Sequence, residues 1–69
     1  MPIVRIEMFA GRTPTQKNAF TKAVTEAFVE HCGGTPQSVH VVFYDIERHD
    51  WGVNGKLVAE PTPAEPPKS

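Results

Sequence analysis

Residues 2–16 read Pro2-Ile3-Val4-Arg5-Ile6-Glu7-Met8-Phe9-Ala10-Gly11-Arg12-Thr13-Pro14-Thr15-Gln16, and this stretch decides the fold. Its first part alternates: Val4, Ile6 and Met8 fall on one face, with Ile3, Arg5, Glu7 and Phe9 on the other, so Pro2–Phe9 reads as a strand. Both faces carry apolar groups and both need at least partial cover. Gly11-Arg12 breaks the run. Thr13 then suits a helix N-cap, Pro14 the first helical position, and Gln16 the reciprocal partner of a capping box. The helix is expected to run to about Cys32. Phe20, Ala23, Val24, Ala27, Phe28 and His31 recur at intervals of three and four and form an apolar stripe, while Lys17, Lys22, Glu26 and Glu30 face largely outward. Gly33-Gly34 supplies the left-handed stop that a helix C-terminus favours.

Downstream, Thr35-Pro36-Gln37 is a short turn. Ser38–Ile46 reads as a second strand in which Val39, Val41 and Phe43 alternate with His40, Val42 and Tyr44. Apolar groups on both faces suit a parallel strand. Strand, helix and strand make a βαβ unit, whose crossover is right-handed and whose strands are parallel. Glu47–Asp50 is a polar turn. Asn54-Gly55 lies between Trp51-Gly52-Val53 and Lys56-Leu57-Val58 and signals a short hairpin. Residues 1–58 therefore make one α/β (α+β) domain. Residues 59–69, with Pro61, Pro63, Pro66 and Pro67, are expected to form a disordered or extended tail.

The 69 residues permit one small domain. A single core of this size rarely supplies more than ~3–5 kcal/mol. Cys32 is the only cysteine, so no disulfide forms within the chain. His31, Cys32, His49 and Asp50 lack metal-ligand spacing, and Cys32 is expected to be a small buried hydrophobe at the helix end. Oligomerisation is the remaining supplement. One helix covers only one face of a two-stranded sheet, and other copies are the simplest cover for the second. Seven basic against eight acidic residues give a net charge of −1, which argues against a nucleic-acid surface. No apolar stretch reaches membrane-spanning length, and the N-terminus does not read as a signal peptide. A cytoplasmic protein is expected.

Proline at position 2 has a chemical reading as well as a structural one. Proline lacks an amide hydrogen and ends strand pairing. Where the initiator methionine is removed, its nitrogen also becomes a free secondary amine, a candidate general base built from backbone. His40, on an apolar strand, reads more readily as a satisfied buried histidine than as a site residue.

The order Pro2-Ile3, Gly11-Arg12, Gln16-Lys17, Ser38-Val39, then Trp51-Gly52-Val53 ahead of Gly55 resembles the tautomerase superfamily, in particular its short-subunit 4-oxalocrotonate tautomerase branch. The resemblance spans residues 2 to about 58. It implies β-α-β subunits, dimers that join their sheets into four strands, and a hexamer of three dimers. It implies a keto-enol tautomerase without cofactor that acts on a small unsaturated carboxylate. Pro2 takes the place of the proton-shuttling N-terminal proline, Arg12 that of an arginine binding a substrate carboxylate, and Trp51 that of an aromatic wall beside the proline. The family's second arginine, which binds the other end of the substrate, falls on His40, a shorter side chain that is mostly neutral near pH 7. The usual dicarboxylate dienol is thereby in question as substrate. Arg48, in the nearby loop, is a candidate replacement cation, and a sister chain in a hetero-hexamer is another source. Relatives that hydrate or dehalogenate unsaturated acids carry an arginine near Phe9 and a glutamate near Val53, which this chain lacks. A non-catalytic scaffold or partner subunit is the alternative from another class.

Overall fold

The computed structural model describes residues 1–59; the proline-rich tail expected over 59–69 lies, apart from Ala59, outside the described residues. Two strands and one long helix make the frame. β1 (Ile3–Phe9) leads to α1 (Pro14–Cys32), and β2 (His40–Ile46) returns parallel to β1. The register pairs Ile3 with His40, Arg5 with Val42, Glu7 with Tyr44 and Phe9 with Ile46. A two-residue hairpin, β3 (Gly52–Val53) and β4 (Lys56–Leu57), closes the described chain. Its turn takes the left-handed backbone that Asn-Gly accepts, with Asn54 at φ 54° and Gly55 at φ 80°.

α1 starts where the local chemistry dictates. Thr13 Oγ1 accepts from the Gln16 amide at 3.1 Å, and the Thr13 amide donates to Gln16 Oε1 at 2.9 Å. The reciprocal pair satisfies two of the amides that a helix start leaves without partners. At the other end Gly33 and Gly34 both take positive φ. No helix among the described residues is long and apolar enough to cross a membrane.

The helix lies on the face of Val4, Ile6, Met8, Val41 and Phe43, which are half-buried. Here the structure corrects the expected stripe. Half-buried positions are Lys17, Thr21, Val24, Thr25, Phe28 and Val29, whereas Phe20, Ala23, Ala27 and His31 are exposed. Lys17 turns inward because Asp45, on the helix side of β2, takes its ammonium group in an ion pair, and the same cation lies 5.8 Å from the Phe43 ring centroid. Three further expectations change. Ser38 belongs to a one-turn 3-10 helix (Pro36–Ser38), so β2 begins at His40. Proline at the first position of that turn fixes the backbone away from a strand. Cys32 is exposed. His40 is exposed too, because its alternation places it on the face that the helix does not cover.

No described residue is fully buried. The uncovered sheet face shows Ile3 at 54%, Val42 at 38% and Tyr44 at 45% exposure. With so little buried surface among the described residues, a subunit of this kind is expected to be stabilised by a partner surface. Val42→Asp is therefore expected to abolish assembly and secondary structure together, read by sedimentation velocity and far-UV circular dichroism, and the wild-type melting temperature is expected to rise with protein concentration. A folded monomeric Val42→Asp protein would contradict this.

Candidate functional site

The chemistry-bearing residues gather at the two ends of β1. At its start, Pro2 is half-buried, and its carbonyl accepts the His40 amide at 3.0 Å. The bond fixes Pro2 against β2 and sets His40 directly beside the head of β1. Met1 precedes Pro2 and is exposed; while it is attached, the proline nitrogen is an amide without basicity.

At the far end a second cluster forms around Phe9. Arg12, one turn beyond the strand, donates from Nη1 to the Phe9 carbonyl at 3.2 Å. Its side chain borders a shallow cleft of about 370 Å³ between α1 and β1, shared with Met8, Gln16, Phe20 and Phe43. On the opposite face of the strand the Phe9 ring meets Trp51, with centroids 4.5 Å apart and planes tilted by 47°. The Arg48 guanidinium carbon stands 4.3 Å from the Phe9 ring centroid. Tilted aromatic pairs and guanidinium-over-ring contacts are both favourable arrangements of the ring quadrupole.

The loop that carries Arg48 and Trp51 is held by its own backbone. Arg48–Asp50 form one 3-10 turn. The Arg48 carbonyl accepts from the Trp51 amide at 3.3 Å and the Ala59 amide at 3.4 Å, and the Trp51 carbonyl accepts from Val58 at 2.9 Å. The hairpin after Trp51 thus folds back and anchors the loop.

The five residues singled out in the sequence divide accordingly. Pro2 and His40 share one end of the sheet. Arg12, Arg48 and Trp51 share the other. Seven strand residues separate the groups, about 23 Å at ~3.3 Å per residue. A single subunit does not bring Pro2 and Arg12 together. Phe9 is the residue that sequence reading missed as part of this group. Its signal was its place at the end of the strand, on the face opposite the helix, immediately before Ala10-Gly11-Arg12.

The family described as Tautomerase enzyme matches residues 2–60. The chain belongs to the tautomerase family. A probable tautomerase of Ralstonia nicotianae is 37% identical over 60 residues, covering 87% of this chain and 92% of that protein. A 2-hydroxymuconate tautomerase of Comamonas testosteroni is 38% identical over 60 residues, covering 87% and 95%. Among solved structures, a heterohexamer 4-oxalocrotonate tautomerase from Chloroflexus aurantiacus superposes with a TM-score of 0.79 at 27% identity, covering 87% of this chain and 97% of that one. The β-α-β subunit of this tautomerase is thus the short-subunit fold of the 4-oxalocrotonate tautomerases.

Phe9→Ala is expected to free the only tryptophan, red-shift its emission, and cost about 1–2 kcal/mol of stability by removing both the aromatic pair and the cation contact. Unchanged emission would mean that the ring contact does not shape the Trp51 environment.

Proposed function

We propose that this tautomerase interconverts enol and keto forms of a small unsaturated 2-oxo acid, with Pro2 as general base once Met1 has been removed. The Pro2 amine takes the proton of the enol hydroxyl. The oxygen's electron pair closes the carbonyl, the double bonds shift along the conjugated chain, and a carbon of that chain takes the proton back from the prolinium. No cofactor enters this cycle. The observation that carries the reading is the position of Pro2 at the first residue of the family match, half-buried and tied through its carbonyl to His40.

Arg12 is the orienting cation in this reading, because a guanidinium pairs with a carboxylate through two parallel bonds. Its positive charge also disfavours the ammonium form of a neighbouring amine, which helps keep Pro2 basic. Trp51 walls the site and excludes water, which strengthens both electrostatic effects. These groups belong to different copies. Among the described residues the outer edge of β1 carries no partner strand. Antiparallel pairing of two β1 edges would set Pro2 of one copy beside the Phe9–Arg12 end of the other. A homohexamer, three such dimers, is the assembly proposed; a heterohexameric relative of the same fold supports six-chain assembly.

Pro2→Ala is expected to lower kcat/KM for a 2-hydroxydienoate or phenylenolpyruvate by ~10²–10⁴. An unaffected rate, or mass spectrometry showing Met1 retained on the purified protein, would favour the scaffold reading instead. Inactive Pro2→Ala and Arg12→Ala chains, refolded together, are expected to regain activity in roughly a quarter of their sites, because each site then draws one group from each copy. Absence of any recovery would place Pro2 and Arg12 in the same subunit's site.

A further inference from the structure

We propose that β1 carries a charge code by which the chain recognises a second copy of itself: two β1 edges pair antiparallel with the two-fold axis at Ile6, and Arg5 of each copy faces Glu7 of the other. The inference rests on the reading above for the antiparallel meeting of two β1 edges. What it adds is the register, the residue at the axis and the charges that select them.

The backbone fixes which groups are available. The Pro2 carbonyl accepts from the His40 amide, and the Ala10 amide donates to the Ile46 carbonyl, both toward β2. Along an extended strand the amide and carbonyl of successive residues point to alternate sides. Val4, Ile6 and Met8 therefore turn their backbone groups toward β2. Ile3, Arg5, Glu7 and Phe9 turn theirs to the outer edge, which has no partner strand among the described residues. An antiparallel partner satisfies that edge when outward residues stand opposite outward residues. The two-fold axis must then fall on a residue and not between two.

Charge chooses the residue. Arg5 and Glu7 are both exposed on the face that the helix leaves bare, and neither makes an ion pair among the described residues. Across β2 they face Val42 and Tyr44, which offer neither a carboxylate nor a cation. An axis at Arg5 would set Arg5 against Arg5, and an axis at Glu7 would set Glu7 against Glu7. Like charges directly opposite destabilise a ladder. An axis at Val4 or Met8 would leave both charges without an opposite partner and shorten the overlap. The axis at Ile6 puts Arg5 opposite Glu7, with Cα atoms about 5.5 Å apart, and symmetry repeats the contact. Ile6 is also the midpoint of Ile3–Phe9, so Ile3 faces Phe9 and the whole edge is paired. A code complementary to itself names its partner as another copy of this chain. Continued by one residue, the same register sets Pro2 opposite Ala10 of the partner copy, about 4.5 Å between Cα atoms, and draws in that copy's Gly11-Arg12 corner.

Charge reversal reads the code. Arg5→Glu sets acid against acid, and Glu7→Arg sets base against base. Each variant alone is expected to come apart, by sedimentation velocity, at concentrations about tenfold or more above those at which the wild-type assembly dissociates. Mixed in equal amounts, the two variants regain opposite charges at every facing position. They are expected to assemble, with native mass spectrometry finding the two chains in equal number. The double variant Arg5→Glu/Glu7→Arg is expected to assemble alone within about threefold of wild type. Single variants that assemble as wild type does, or a mixture without preference for mixed pairs, overturn the proposal.

A cysteine scan in the Cys32→Ser chain tests the register without altering charge. Ile6→Cys lies at the axis and is expected to link two copies under mild oxidation, because the facing Cα atoms stand about 4.5 Å apart. Val4→Cys and Met8→Cys each lie about 14 Å from their own counterpart, at ~3.4 Å per residue, and are expected to stay unlinked. Linkage at position 4 or 8, or at none of the three, overturns the register. Both readouts report assembly and not turnover. Their failure with turnover still dependent on Pro2 leaves the proton transfer standing, and an Ile6 axis found together with a fully active Pro2→Ala protein overturns only that chemistry.

Discussion

One helix can cover only one face of a sheet, and the molecule follows from that constraint. Val4, Ile6, Met8, Val41 and Phe43 meet α1 and become half-buried, yet none disappears fully from solvent. On the reverse face the alternation of β1 and β2 presents Ile3, Val42 and Tyr44 beside Arg5, Glu7 and His40. Phe20, Ala23 and Ala27 form a further exposed apolar strip on the helix. Hydrophobic burial scales with area removed from water, and in the single subunit much of the apolar area stays exposed.

The same constraint shapes the site. A parallel βαβ unit places the start of β1 beside the start of β2, so Pro2 and His40 meet through a backbone bond. It sends the chain out at the opposite end, where Gly11 releases the strand and Arg12 swings back to the Phe9 carbonyl. The loop after β2 leaves at that same far end and brings Arg48 and Trp51 onto Phe9. The topology thus separates Pro2 from Arg12, Arg48 and Trp51 within one chain, and the antiparallel pairing proposed above is what would bring them together. Polar groups at strand ends also avoid the desolvation that a central position would impose.

What could be read from the sequence was what local chemistry decides. Thr13, Pro14 and Gln16 specify a helix start by their own hydrogen bonds, and Asn54-Gly55 specifies a turn by its backbone preference. The phase of the helix was less legible. Of the expected stripe Val24 and Phe28 turn inward, but Phe20, Ala23, Ala27 and His31 do not and Thr21, Thr25 and Val29 do, because the position of the sheet decides the phase. Lys17 turned inward for a reason invisible in its own neighbourhood, since its partner Asp45 lies on β2. Ser38 was drawn out of the strand by the turn that Pro36 begins. The proposed grouping of Pro2 with Arg12 comes from family order, whereas their separation along β1 is a property of topology that sequence spacing does not give.

Phe9 shows how one apolar residue can organise charge. A guanidinium in water is well solvated and gains little from a surface ion pair. Set over a ring, with its backbone carbonyl held by two amides, Arg48 keeps its charge and loses part of its freedom before any ligand arrives. Arg12 is restrained from the other side of the strand through the carbonyl of the same residue. The Pro2 end carries the histidine at position 40, while the Phe9 end carries two arginines. In the proposed assembly the Phe9 end of one copy would lie beside the Pro2 end of the other, so the groups offered for binding and for proton transfer would come from different copies.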